Sequence, residues 1–275
     1  NPVKSNRCDP VPAVTRTVKS PIFVKQDWNF QGTDVGTAQY VDAFRRSEFW
    51  RYTGPSGINP RYHVNLELTR LPLVTVHVPA SASATASGTC ATEISIKVQW
   101  LDNYLTGTLL PKLASRKLVG PATFPVFLVN NTVEYDTVPT LCCILGYHSK
   151  FRTVRGNTQT YGVADYENSG YFPPEANLRN VEVLSHEIAE WMDDPLANNP
   201  TPRWGNVGQV SGCQANLEVG DPLTGTTIDD KVGSFTYRLQ ELAFMSWFYH
   251  QSPSIGLNGL YSNNGTFTTP AKRCP

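Results

Sequence analysis

The hydrophobic and polar positions of this chain change period several times, and each change marks a segment. Over residues 40–52, Tyr40, Phe44, Ser47 and Trp50 fall near one face, with Arg45, Arg46 and Glu48 off it. That period predicts a helix, with the Arg45-Arg46 pair on a solvated face, stopped by Gly54-Pro55-Ser56-Gly57. Over 62–69, His63, Asn65, Glu67 and Thr69 alternate with Val64, Leu66 and Leu68, which predicts a strand, and 73–78 predicts another. Residues 92–100, 124–130, 141–148 and 160–164 read as further strands, and Ile22-Phe23-Val24 suits a short one. Residues 80–88 (ASASATASG) read as a flexible surface connection. Residues 102–110 suit a short helix, weakened by Gly107 and ended by Pro111. Residues 198–220 read as loop, 237–249 as a long helix, and 259–275 as an aromatic, turn-rich tail. The expected class is α+β: one domain over 1–275, with a mixed sheet and a site-bearing helix in 1–195 and a loop-rich C-terminal lobe in 196–275.

One stretch departs from a simple amphipathic pattern. Residues 180–195 read NVEVLSHEIAEWMDDP, with Leu184, Ile188 and Met192 spaced for burial and Pro195 marking the helix end. His186 and Glu190 stand at i and i+4, so both project from one face, and Glu187 lies beside them. The pattern H-E-x-x-E is the zinc-binding H-E-x-x-H with its second imidazole replaced by a carboxylate, which zinc also accepts. On this reading His186 and Glu190 hold zinc and Glu187 is the general base that takes the proton of the attacking water. The plain alternative is an amphipathic helix with solvated glutamates, capped near Asn180. A third ligand is open between Glu218 and Asp221, with Asp193 a rival because i+7 from His186 returns to the same face. His250, after Trp247-Phe248-Tyr249, is the candidate donor to a reaction oxyanion. His148 suits a strand end near the cleft, while His63 and His77 read as structural.

Composition narrows the setting. Lys and Arg number 23 against 23 for Asp and Glu, so net charge gives no reason to expect nucleic acid or an anionic membrane as partner. No apolar run approaches the roughly 20 residues that span a bilayer. A first residue Asn1 in place of Met predicts a mature form whose leader has been removed. Cys8, Cys90, Cys142, Cys143, Cys213 and Cys274 have no metal-ligand spacing and predict disulfides in an oxidising, extracellular compartment. Cys142 and Cys143, facing opposite ways on a strand, are expected to pair elsewhere.

The blocks HEIAEWMDDP and LEVGDP, with GYHS and YGVADY upstream, resemble secreted bacterial HExxE metalloprotease-like proteins and the related plant exordium (phosphate-induced) family. The similarity covers roughly residues 120–275, and His186, Glu187, Glu190, Asp194, Pro195, Glu218, Gly220 and Asp221 match the family pattern. Asp193, where a small hydroxyl residue is usual, and Pro222 depart from it. The resemblance implies a zincin-like fold and a zinc site. The function expected is a secreted zinc-dependent peptidase acting on protein or peptide substrates. The alternative is a weak or inactive binding or wall-associated protein on the same scaffold.

Overall fold

The computed structural model describes residues 1–153 and 156–275. In chain order it begins with helix α1 (Ala13–Val18), strands β1 (Gln26–Phe30) and β2 (Thr33–Ala38), and helices α2 (Tyr40–Glu48) and α3 (Trp50–Thr53). Strands β3 (Ser83–Ser87) and β4 (Thr92–Lys97) precede helices α4 (Val98–Tyr104) and α5 (Leu110–Ser115), which a wider turn joins. Strands β5 (Val126–Asn130), β6 (Thr132–Tyr135), β7 (Cys142–Ile144), β8 (Gly146–Arg152) and β9 (Thr158–Tyr166) lead to helix α6 (Glu182–Asp193). The remainder holds β10 (Pro200–Val207), β11 (Val210–Asn216), β12 (Thr227–Val232), β13 (Phe235–Gln240) and helix α7 (Met245–Phe248). The class is α+β.

The chain divides into two compact units that interleave in sequence, Asn1–Thr17 with Thr69–Glu187 and Val18–Leu68 with Ile188–Pro275. In the first unit one sheet runs β3-β4-β6-β7 and another β5-β9-β8. Its β4/β6 and β5/β9 pairs are parallel and the others antiparallel. Leu101, Leu105, Leu109 and Leu113, four residues apart, form one stripe on α4 to α5 and join Ile96, Tyr161 and Val163 in a buried cluster. Helical backbone runs on from α4 through the wider turn at 105–109 into α5, so neither Gly107 nor Pro111 ends it. The second unit is built on the hairpins β1-β2, β10-β11 and β12-β13. Its core is aromatic: Trp204 packs edge-on against Trp247 and Phe248, and Trp247 stacks on Phe267.

Several sequence expectations need correction, each for a local reason. Residues 62–69 keep their alternation but form no strand. Side chains of the α2 region take the place of a neighbouring strand: Asp42 Oδ1 accepts the Val64 N–H at 2.8 Å, and Gln39 both accepts from Leu66 N–H and donates to its carbonyl. Arg46 is buried rather than solvated, donating to the carbonyls of Val35, Pro60 and Tyr62. Residues 73–78 likewise form no strand, Ile22 to Val24 lie in a turn, and the small-residue stretch contains β3. The helix expected over 237–249 forms only at α7, residues 245–248; residues 237–240 belong to β13, where Tyr237 and Leu239 are buried at period two. A two-residue turn at Gly233, φ +62°, returns it to β12. The expected loop over 198–220 is the β10-β11 hairpin, whose register shifts interrupt the alternation. At its turn a side chain on Gly208 would meet the Asp221 carbonyl at 2.0 Å, so only glycine fits.

The disulfides are Cys8–Cys90, Cys213–Cys274 and Cys142–Cys143. The last overturns the expectation that those neighbours pair elsewhere. Tyr135 pairs with Cys142 and Glu134 with Ile144, leaving Cys143 unmatched in a bulge, and the alternate-facing geometry of a regular strand fails there.

Candidate metal centre

Helix α6 reads EVLSHEIAEWMD and buries its apolar residues Val183, Leu184, Ile188 and Ala189. Its polar residues are buried as well: His186, Glu187 and Glu190 are 7, 5 and 4% exposed. The plain reading with solvated glutamates therefore does not hold. Glu182, His186 and Glu190 follow one another at intervals of one turn, so a carboxylate lies on each side of the imidazole. Along this helix, ligand atoms of Glu190 come within 4.8 Å of those of His186 and of Glu187.

In the first unit, His148 Nδ1 on β8 lies 3.5 Å from Glu187 Oε2. The close approach of β8 to α6 depends on Gly146, since a Cβ there would sit 2.7 Å from Val183 Cγ1 and 3.1 Å from Glu187 Cγ. Glu134 on β6 is fully buried, and among the described residues no other residue hydrogen-bonds its carboxylate oxygens. Burial, then the charge of Glu187, pushes Glu134 well above the ordinary carboxylate range. Burial pushes Glu182 up to about 7, with His186 opposing the shift and Glu187 adding to it.

In the second unit, Glu190 Oε1 accepts the backbone N–H groups of Gly220 and Asp221 at 3.1 and 3.2 Å. Asp221, half-buried, offers a ligand atom within 4.8 Å of Glu190 and accepts from Gln209 and from Gln214 Nε2. Glu218 Oε1 accepts from Asn216 Nδ2 at 2.9 Å and is not among the residues grouped around Glu190. Asp193 pairs with Arg45, which also holds Glu48 at 3.1 Å. Asp194 caps the helix end, its two oxygens accepting the N–H groups of Asn198 and Asn199. His250 has φ +51° just after α7, and its Nε2 is buried without a hydrogen-bond partner among the described residues.

Glu182 and Glu134 are absent from the sequence reading. Glu182 was legible as a carboxylate four residues before His186, and Glu134 as a charged residue inside the otherwise buried strand TVEY. The result is an α+β protein whose buried histidine and carboxylate groups can hold a cation. No family model, no curated protein and no solved structure matches this chain.

Proposed function

We propose that this protein is a secreted zinc-dependent peptidase whose centre is carried by α6. His186 and Glu190 are its metal ligands, Asp221, which lies beside Glu190, is the further ligand candidate, and Glu187 is the general base. The observation that carries the reading is the burial of His186, Glu187 and Glu190 on one helix. Buried charge is costly unless it is paired or coordinates a metal. A mixed imidazole and carboxylate donor set suits zinc. The Gly220 and Asp221 amides fix one oxygen of Glu190, as hydrogen bonds behind a ligating carboxylate do. Glu218, the other carboxylate of LEVGDP, lies beyond that group and is the weaker candidate for third ligand.

The chemistry that zinc supplies when bound is Lewis-acid polarisation of a carbonyl. Glu187 then takes the proton of the attacking water, and His148 beside its Oε2 orients that carboxylate. The disulfides support an oxidising compartment, and no helix among the described residues is long and apolar enough to cross a membrane. The similarity of HEIAEWMDDP and LEVGDP to secreted HExxE proteins supports the same assignment.

A second reading, a binding protein with a degenerate site, is favoured by one observation. The Glu190 carboxylate also ties down the turn at Gly220 and Asp221, a role that needs no metal. Metal analysis and a peptide-library assay on Glu187→Gln and Glu190→Gln separate the two. In a peptidase, Glu187→Gln keeps the metal and loses turnover, while Glu190→Gln loosens the metal. A wild-type protein that takes up zinc and cleaves nothing supports the binding reading.

A further inference from the structure

A different set of carboxylates lies wholly within the first unit. Glu93 stands near the start of β4, Asp165 near the end of β9, and Glu167 just beyond β9. They are 2, 0 and 4% exposed, and one oxygen of each lies within 4.8 Å of the others. Asp165 Oδ1 accepts the Thr132 N–H at 3.0 Å, while Oδ2 is buried with no hydrogen bond. Glu167 Oε1 accepts from Ser169 N–H, Ser169 Oγ and Gly170 N–H at 2.8, 2.7 and 3.3 Å, while Oε2 is buried with none. Glu93 has both oxygens buried with no hydrogen bond. Ser169 is close to Glu93, but its single hydroxyl proton goes to Glu167.

Among the described residues, no lysine, arginine or histidine pairs with any of the three. The α-amino group of Asn1 feels the charge of Asp165 and answers at most one of them. Glu134 adds to the negative field at Asp165. Each carboxylate thus has at least one oxygen buried and bare, and two are fixed through their other oxygen. Hydrogen bonds behind metal ligands have this arrangement.

We propose that Glu93, Asp165 and Glu167 form a calcium site, independent of the α6 centre. The donor set is all oxygen, which suits a hard cation and not zinc. Calcium takes oxygens at about 2.3–2.6 Å, so ligands on opposite sides of one ion stand up to roughly 5 Å apart. The observed convergence within 4.8 Å meets that span. Without a cation, burial and mutual repulsion push Glu93 up to about 8 and Asp165 well above its ordinary value, so protons are the competing occupants. A Glu93–Glu167 hydrogen bond needs one such proton.

The role is that of a staple. The N–H groups of Cys90 and Ala91 bond the Ser169 carbonyl at 2.7 and 3.1 Å, Cys8 is disulfide-bonded to Cys90, and Asn6 donates to Asn168. The ion joins the start of β4 to the end of β9 where these ties already meet.

The test uses the full chain, stripped with chelator and titrated with calcium chloride, with magnesium chloride in a parallel arm. Calorimetric titration is expected to show one equivalent of calcium, with a rise in Tm on the order of 5–10 °C at saturation. Glu93→Gln and Asp165→Asn weaken calcium by at least about tenfold and lose the rise, whereas His186→Ala keeps both. Wild-type protein that stays folded and takes up no calcium at about 1 mM overturns the site, as does calcium bound undiminished by Glu93→Gln. An equal response to magnesium overturns calcium as the occupant. If Glu93→Gln raises Tm while wild type ignores calcium, the cluster shares protons and the proposal falls. Glu167→Gln replaces Asp165→Asn should the latter fail to fold, and the wild-type titration decides in either case.

Discussion

Helix α6 and the β4–β9 carboxylates both bury acid, but they neutralise it differently. On α6 the acids have partners of several kinds: Arg45 for Asp193, backbone amides for Asp194 and for one oxygen of Glu190, and an imidazole between Glu182 and Glu190. At Glu93, Asp165 and Glu167 only backbone amides and one serine hydroxyl donate, and four carboxylate oxygens stay bare. The first arrangement mixes nitrogen with oxygen and suits zinc. The second is all oxygen and suits calcium. The donors around buried carboxylates thus point to the class of cation, where charge alone does not.

The largest effect expected is on chemistry. Glu187→Gln keeps the size of the side chain and removes the base, so peptide turnover should fall on the order of 10²–10⁴ with metal content unchanged. Full activity in that variant would reduce α6 to a structural helix.

Next is Arg45→Met. Asp193 and Glu48 have side chains with no exposure, and removing their shared cation leaves both buried without a counter-charge, Glu48 keeping only the Met245 N–H. Breaking such a pair costs about 3–5 kcal/mol of stability, read by urea unfolding. A loss under about 1 kcal/mol would show that Arg45 is a surface pair of little consequence.

Calcium removal comes third, at about 2.7 kcal/mol for a ligand held 100-fold above its Kd. Zinc removal, by contrast, should leave that increment intact.

The smallest effect, taken per unit of pH, is a slope. Glu93 and Asp165 hold protons in the fold above the ordinary carboxylate range, and the unfolded chain releases them near pH ~4.3. The folded state therefore binds more protons, and in chelator its stability falls as pH rises from about 5 to 8, by up to about 1.4 kcal/mol per unit per group. Saturating calcium should flatten that slope, and so should Glu93→Gln in part. Unfolding curves at matched pH, with and without calcium, measure it.

What could be read from the sequence follows the same contrast. His186 and Glu190 lie four residues apart on one helix, so their spacing revealed a common face, with Glu187 beside it. Glu93 and Asp165 are separated by much of the first unit, and only the pairing of β4 with β6 and of β5 with β9 brings their neighbourhoods together. No local period carries that information. Of the stretches 92–100, 124–130 and 160–164, residues 92–97, 126–130 and 160–164 form strands with a real neighbouring strand, while 98–100 open α4. Residues 62–69 show the same alternation, but Gln39 and Asp42 supply the hydrogen bonds, which depends on where α2 lies. The helix expected over 237–249 held only at 245–248, because an apolar run fits either period and the turn at Gly233 drew 237–240 into β13.

Metal analysis of the protein and two variants tests the α6 centre most directly. Wild type, purified without chelator and dialysed against trace zinc, should hold one equivalent of zinc, with His186→Ala and Glu190→Gln both depleted and Glu187→Gln still loaded. Zinc absent from folded wild type, or present equally in His186→Ala and Glu190→Gln, would contradict the assignment of the centre to this helix.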